Sequence, residues 1–202
     1  MTVPSRRHFV TWLALVPALP ALAGCASPEP DYYRLVAVPG TPRAGRPLRV
    51  ELRQVGLARY LDRREIVRGG GALKLDIREG ERWAEPIGDM VTRVLAENLN
   101  QRLPASIVVP EQGTVSSDPD TVAEVDLSRF EDDGTGRVVL EGRFQLRRIG
   151  GRAREVSRPV TLLVPLLGAK TEALAQGMSQ ALGMLADQMA RSAGEIGGIP
   201  AS

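Results

Sequence analysis

The stretch from Tyr60 to Gly71, YLDRREIVRGGG, gathers an aromatic ring, five charged side chains and three closing glycines. Asp62 and Glu65 are spaced as a possible acid–base pair. Arg63, Arg64 and Arg68 have the chemistry of a phosphate clamp, and the glycines could hinge beside either. A second acidic set, Glu79, Glu81 and Glu85, could supply the acid and base of glycoside chemistry. Whether such residues catalyse, bind a partner or form a solvated turn depends on what the rest of the chain can offer them.

The first residues belong to export and not to a fold. Arg6 and Arg7 precede a nearly continuous apolar run from Phe9 to Ala23, the layout of a secretory leader. At 1.5 Å per residue the run reaches only about 22 Å, and Pro17 and Pro20 interrupt it, so it falls short of a bilayer core of about 30 Å. Leu22, Ala23, Gly24 and Cys25 resemble the lipobox of bacterial lipoproteins. That resemblance implies a diacylglycerol on the Cys25 thiol, cleavage just before it and an N-acyl chain on the new amine. At about 0.8 kcal/mol per buried methylene, two or three acyl chains make a lasting anchor where one is marginal. As the only cysteine, Cys25 has no disulfide partner within the chain. The run Ser5 to Val10, SRRHFV, resembles a twin-arginine export signal, although paired arginines also occur in ordinary secretory leaders, so both routes stay open. Ala26 after the cysteine resembles an outer-membrane release signal, and inner-membrane retention is the other outcome.

Removing residues 1–24 narrows the chemistry. The chain has 26 Lys and Arg against 24 Asp and Glu, and the leader takes two arginines and no acid, which leaves the mature protein neutral. The electrostatic case for a nucleic-acid partner goes with them. The single histidine, His8, also leaves. Ser-His-Asp and Cys-His catalysis are then excluded, as are imidazole or thiolate zinc sites; no cofactor is expected beyond the acyl chains. Gly177 to Ala181, GMSQA, superficially matches a nucleophile elbow but lies in a helical pattern with no base. The triple glycine lacks the following Gly-Lys-Ser/Thr of a P-loop, and Asp132 to Gly136, DDGTG, suits a hairpin turn better than a calcium loop. Carboxylate-only hydrolysis survives on paper. Acidic residues interleaved with arginine at this density more often form a solvated, ion-paired surface, and 4% aromatic residues leave few rings for a sugar.

The elements that must position these residues follow from periodicity. Alternation marks strands at Tyr32–Val38, Leu48–Val55 and Leu73–Glu79, the last with Leu73, Leu75 and Ile77 inward. Three more strands are expected in AEVDLSRF, RVVLEGRFQLRR and EVSRPVTLLV. In the middle one Val138, Leu140, Phe144 and Leu146 share a face, and Pro159 puts the last at an edge or a bulge. Spacings of three and four residues predict a helix over 81–103, starting regularly near Pro86, with Trp83, Ile87, Val91, Val94, Leu95, Leu99 and Leu103 on its apolar side. A second helix is expected over 170–192, with Leu174, Met178, Leu182, Leu185 and Met189 on one side; Gly177 and Gly183 weaken it by up to about 1 kcal/mol each. The organisation predicted is a leader (1–24), a lipidated Cys25 with a short tether (25–31), one domain (32–193) and a flexible tail (194–202). The fold class is α+β: a mainly antiparallel sheet with two helices packed on one face.

In that order the chain resembles a known family, the ABC-type transport auxiliary lipoproteins. The resemblance rests on the lipobox, the early strand DYYRLVAV, the segment YLDRREIV and the helix start RWAEPIGDMVTRVLAENLNQRL; Arg64 departs from it, standing where proline is expected. The resemblance implies a non-catalytic periplasmic subunit of an ABC transport system. Its partner would be an MCE-domain protein that bridges the periplasm and carries lipid between membranes, and homo-oligomers are expected. Tyr60, Leu61, Asp62, Arg63, Glu65, Trp83 and Glu85 are the candidate docking residues. The rival is an interaction module that regulates peptidoglycan synthesis. Residues 26–31, which reach at most about 20 Å, make a short linker for that task.

Overall fold

A computed structural model of the protein describes residues 29–69, 73–114, 118–150 and 154–197. Arg6, Arg7, Leu22, Ala23, Gly24 and Cys25, with the readings attached to them, lie outside these residues. Five strands come first: β1 (Asp31–Tyr33), β2 (Arg49–Leu52), β3 (Gly56–Leu57), β4 (Glu65–Gly69) and β5 (Leu75–Trp83). Helix α1 (Ile87–Arg102) follows, then β6 (Ile107–Pro110), β7 (Thr121–Asp132), β8 (Arg137–Arg148), β9 (Glu155–Pro165) and helix α2 (Thr171–Gly197).

The class is α+β, as the periodicity predicts. The larger sheet has the order β6-β2-β7-β8-β9, with β3 paired to β7, and a three-stranded sheet has the order β1-β5-β4. The long ladders β7–β8 and β8–β9 are antiparallel, as is β4–β5. The short pairings of β2 with β6 and β7, of β3 with β7 and of β1 with β5 are parallel. On β8 Val138, Leu140, Phe144 and Leu146 are buried, while Arg143 and Arg147 are exposed. One face is therefore wet, and both helices cover the other. β9 forms an edge, which suits Pro159, since proline has no N–H for a further strand. Every apolar residue expected on the two helix stripes is buried, but the helix expected from residue 81 starts at Ile87, and Trp83 lies at the end of β5 rather than on the helix. Pro86 stands at the N-cap of α1, where its missing N–H costs no helical bond.

Close backbone approaches explain several glycines. The β7–β8 register shifts between Leu127 and Arg129. The extra residue moves the inward side from Leu127 to Phe130. Opposite this bulge, a Cβ on Gly142 would come within 2.1 Å of the Asp126 carbonyl oxygen. On α2, a Cβ on Gly183 would come within 2.2 Å of Val38, and one on Gly177 within 2.8 Å of Val138. The helix propensity lost at these two positions allows the neighbouring chain to pack closely.

The first predicted strand is cut short. Pairing with β5 ends at Tyr33, and the next residues lie across the junction of the two helices. Their N–H groups go to side chains: Leu35 donates to Met90 Sδ (3.2 Å), Val36 to Ser179 Oγ (3.1 Å) and Val38 to Asn98 Oδ1 (3.1 Å). Arg102, only 2% exposed, secures the end of this segment. Its Nε donates to Asp187 Oδ1 on α2 (2.6 Å), and its Nη1 donates to the carbonyls of Val38 (3.3 Å) and Asn98 (3.2 Å). Gly40 lies against the guanidinium, where a Cβ would sit 2.1 Å from Cζ.

Three further expectations are corrected. Leu73, Leu75 and Ile77 do not enter the core: they are 103%, 41% and 41% exposed. Ile77 pairs with Val67 and Arg78 with Ile66; both β4 residues are buried, but the hairpin overhangs the body and, among the described residues, nothing covers its β5 side. Glu65–Gly69, for which no strand was expected in a stretch that could form a solvated turn, is a strand with Ile66 and Val67 buried. It is held to the larger sheet by Arg68, whose Nε donates to Asp132 Oδ2 (2.6 Å). The tail expected from residue 194 is helical to Gly197, with Ile196 buried.

Arg102→Ala should destabilise the domain by about 3 kcal/mol. This is the lower end of the range for breaking a buried pair, because Asp187 is partly hydrated and can recover water. Urea denaturation should show a lower midpoint with an unchanged slope; an unaltered midpoint would refute the assignment.

Candidate functional site

The residues from Ala58 to Glu65 form a tight turn that feeds β4. Leu61 N–H donates to the Ala58 carbonyl (2.8 Å) and Arg63 N–H to that of Leu61 (2.8 Å), while Trp83 N–H takes the Arg64 carbonyl (2.8 Å). The last bond ties the turn to the approach to α1. Two of the candidate docking residues face inward: Leu61 and Trp83 are buried in the main core. Their apolar side chains fix the turn from below and are not available to a partner. Tyr60 is half-buried and packs against the same core.

What the turn displays is charge. Asp62, Arg63 and Arg64 are exposed. Arg63 reaches Glu65 (3.8 Å) rather than its neighbour Asp62, and Glu65 stands opposite Arg82 of β5. The second acidic set is dispersed. Glu81 accepts a bond from Thr171 Oγ1 at the start of α2 (2.5 Å), whereas Glu85 holds Arg93 of α1 (2.5 Å), which also pairs with Glu97 (2.9 Å). Neither set converges on a reacting atom. Such exposed pairs contribute about 0–1 kcal/mol each, so they can be exchanged for partner contacts at little cost to the fold. Ser179, the apparent nucleophile, donates to the Ala175 carbonyl (2.7 Å) and accepts from Val36 N–H, a packing role inside α2.

Two concavities flank this surface. A groove of about 290 Å³ between α1 and the end of β6 is lined by Gln54, Glu85, Asp89, Arg93 and Pro110. A wider, open cleft of about 630 Å³ lies on the wet face of the sheet between Arg53, Glu124, Asp126 and Arg143. Gln54 borders both and donates to Asp89 Oδ1 (2.7 Å). Alternation exposes Glu124, Asp126 and Arg143, but the sequence carried no sign of the gap between β2 and β3 that hollows the surface beside them. Both concavities mix charge signs and suit a polar protein surface.

One half-buried group of the turn is electrostatically distinctive. Burial raises the Tyr60 phenol from 10.0, and the neighbouring Glu131 carboxylate raises it further, to about 12. Glu131 is itself buried, with Arg129 Nε 3.5 Å from its Oε1 and, among the described residues, no hydrogen-bond partner on Oε2.

Known proteins resemble this arrangement over most of its length. The model of one family, the ABC-type transport auxiliary lipoprotein component, matches residues 33–190. Two relatives, from Escherichia coli (strain K12) and Shigella flexneri, each called intermembrane transport lipoprotein PqiC, are 31% identical over 158 residues, covering 75% of this chain and 80% of theirs. Among solved structures, an uncharacterized protein superposes with a TM-score of 0.69 at 21% identity, covering 82% of this chain and 99% of its own. A Xanthomonas campestris protein does so with a TM-score of 0.61 at 20% identity, covering 79% and 92%. The two structures share the fold.

Because the folded state holds the Tyr60 proton more tightly than the unfolded state, its contribution to stability is complete below pH 10 and is lost as pH rises towards about 12. Ultraviolet titration should show a tyrosine ionising near pH 12 that is missing from Tyr60→Phe. Denaturation of that variant should depend less on pH in this window. A titration identical in both proteins would refute the environment described.

Proposed function

Because the chain belongs to the ABC-type transport auxiliary lipoprotein family, we propose that it is the docking subunit of an MCE-type intermembrane lipid transport system. In this reading Cys25 carries the acyl chains, and the protein faces the periplasm from the outer membrane. It supports envelope integrity without catalysing a reaction. The observation that carries the reading is the match to relatives named for intermembrane transport, across the domain that holds the candidate surface. The sequence agrees in chemistry: no P-loop follows the glycines, so ATP would be hydrolysed by another subunit, and without its leader the chain has no histidine.

The surface from Asp62 to Glu65, with Glu85 and the adjoining groove, is where the MCE-domain partner would dock. Tyr60, Leu61 and Trp83 serve it by holding the turn rigid, which reduces the ordering entropy that association must overcome. Homo-oligomerisation would repeat the surface around a ring or pair and raise its avidity.

Affinity capture of the lipidated protein from detergent-solubilised envelopes should recover an MCE-domain protein with its permease and ATPase. The combined reversal Asp62→Arg and Glu85→Arg should reduce that recovery at least about tenfold, the effect of removing about 1.4 kcal/mol, while the melting temperature stays unchanged. Capture without any component of such a system, together with unchanged detergent sensitivity on deletion, would overturn the proposal.

A further inference from the structure

Four large apolar side chains lie uncovered at one end of the molecule. Leu73, Leu75 and Ile77 are on the β5 side of the overhanging hairpin, and Leu167, 77% exposed, is in the loop between β9 and α2. Two contacts bring that loop to the hairpin's end of the fold. Leu166 N–H donates to the Gly136 carbonyl in the β7–β8 turn (2.8 Å), and Arg68 Nη1 donates to the Ala169 carbonyl (2.6 Å). The only two lysines in the chain, Lys74 and Lys170, lie within three residues of these leucines; every other basic side chain is an arginine. Other exposed isoleucines, Ile107 and Ile149, sit at the opposite end of β7. They are about 35 Å away at roughly 3.3 Å per residue.

The way the chain enters the domain says what covers this end. β1 runs parallel to β5, with Asp31 opposite Glu81 and Tyr33 opposite Trp83. The chain ahead of Asp31 therefore arrives from the side of Gly80 and Glu79, the direction in which β5 leads back to Ile77, Leu75 and Leu73. Residues 26–31 reach at most about 20 Å. The strand from Glu81 back to Leu75 covers about the same length at roughly 3.3 Å per residue. A lipid on Cys25 thus brings the bilayer within reach of the uncovered leucines.

We propose that this end is a second membrane contact. Leu73, Leu75, Ile77 and Leu167 rest in the headgroup boundary of the bilayer that holds the Cys25 acyl chains, and Lys74 and Lys170 extend to lipid phosphates. The inference rests on the reading of Cys25 as a lipid anchor. Lysine suits the place because its flexible stem lies along apolar surface while the ammonium reaches polar headgroups. Together the anchor and the hairpin fix the orientation of the domain, and the opposite end of β7 is directed away from the membrane.

The test uses the lipidated full chain in vesicles of phosphatidylethanolamine and phosphatidylglycerol, with single thiols introduced by Leu75→Cys, Leu167→Cys or Ile149→Cys. Acylation blocks Cys25, so each variant takes one environment-sensitive fluorophore. Labels at 75 and 167 should shift to the blue on reconstitution and lose emission to lipids bearing nitroxide on the acyl chain, while the label at 149 stays as in water. If the protein floats with the vesicles but the label at 75 remains water-like, the proposal is overturned and the anchor stands. The same holds if that label is shielded from aqueous quenchers yet untouched by nitroxide lipids, since a second copy or a protein partner then covers it. An intact mass without acyl groups on Cys25 overturns the anchor reading and this inference with it.

Discussion

The structure depends on how the segment after β1 is hydrogen-bonded. Among the described residues Leu35, Val36 and Val38 have no strand beside them, and a buried N–H without an acceptor costs about 1–3 kcal/mol. The acceptors are side chains of both helices: Met90 and Asn98 on α1, Ser179 on α2. Arg102 closes the arrangement with one cation shared between Asp187, Asn98 and the Val38 carbonyl. The helices therefore hold the segment, and the segment holds the helices. Neither can shift without exposing an unpaired group, so the sheet beneath keeps a cover of fixed shape. Two glycines make the packing possible, Gly40 against the guanidinium and Gly183 against Val38.

The periodic parts of this design were legible in the sequence. Strand β8 matched its predicted residues, and both helix stripes were legible from Ile87 onward because alternation and 3.6-residue spacing are local signals; Trp83, expected on the first stripe, ends β5 instead. The join between helices and segment was not legible, since its partners lie 55 to 143 residues apart and an asparagine or serine does not advertise which backbone it serves. Leu73, Leu75 and Ile77 failed for a different reason: alternation gives the side a residue faces, not whether anything lies there. β4 was hidden because Glu65 and Arg68 bracket Ile66 and Val67 and made the whole stretch look solvated. Leu61 and Trp83, grouped with the docking residues, belong to the core; for Trp83 the apolar periodicity had already pointed there.

That mixture of buried anchors and displayed charge suits a subunit of a larger assembly. The exposed pairs, Arg63 with Glu65 and Arg93 with Glu85 and Glu97, lie above well-packed apolar residues. Their signs and spacing can change while the core beneath stays the same. Glu131 and Tyr60 are less free: one is a buried carboxylate and the other a phenol pushed towards high pKa beside it, so the rim of the turn has a fixed interior even where its outer charges vary.

The parallel entry of β1 also has a mechanical consequence. Tension on the chain ahead of Asp31 acts along β1, towards the β5 residues that precede Glu81. The hydrogen bonds of this short ladder are then loaded in shear, all together, rather than peeled one at a time. Behind them the same pull draws the segment from Leu35 to Gly40 against the guanidinium of Arg102 and the two helices. Force entering at the tether is therefore transmitted to the best-packed part of the protein, and the domain resists being unravelled from the end at which it is pulled.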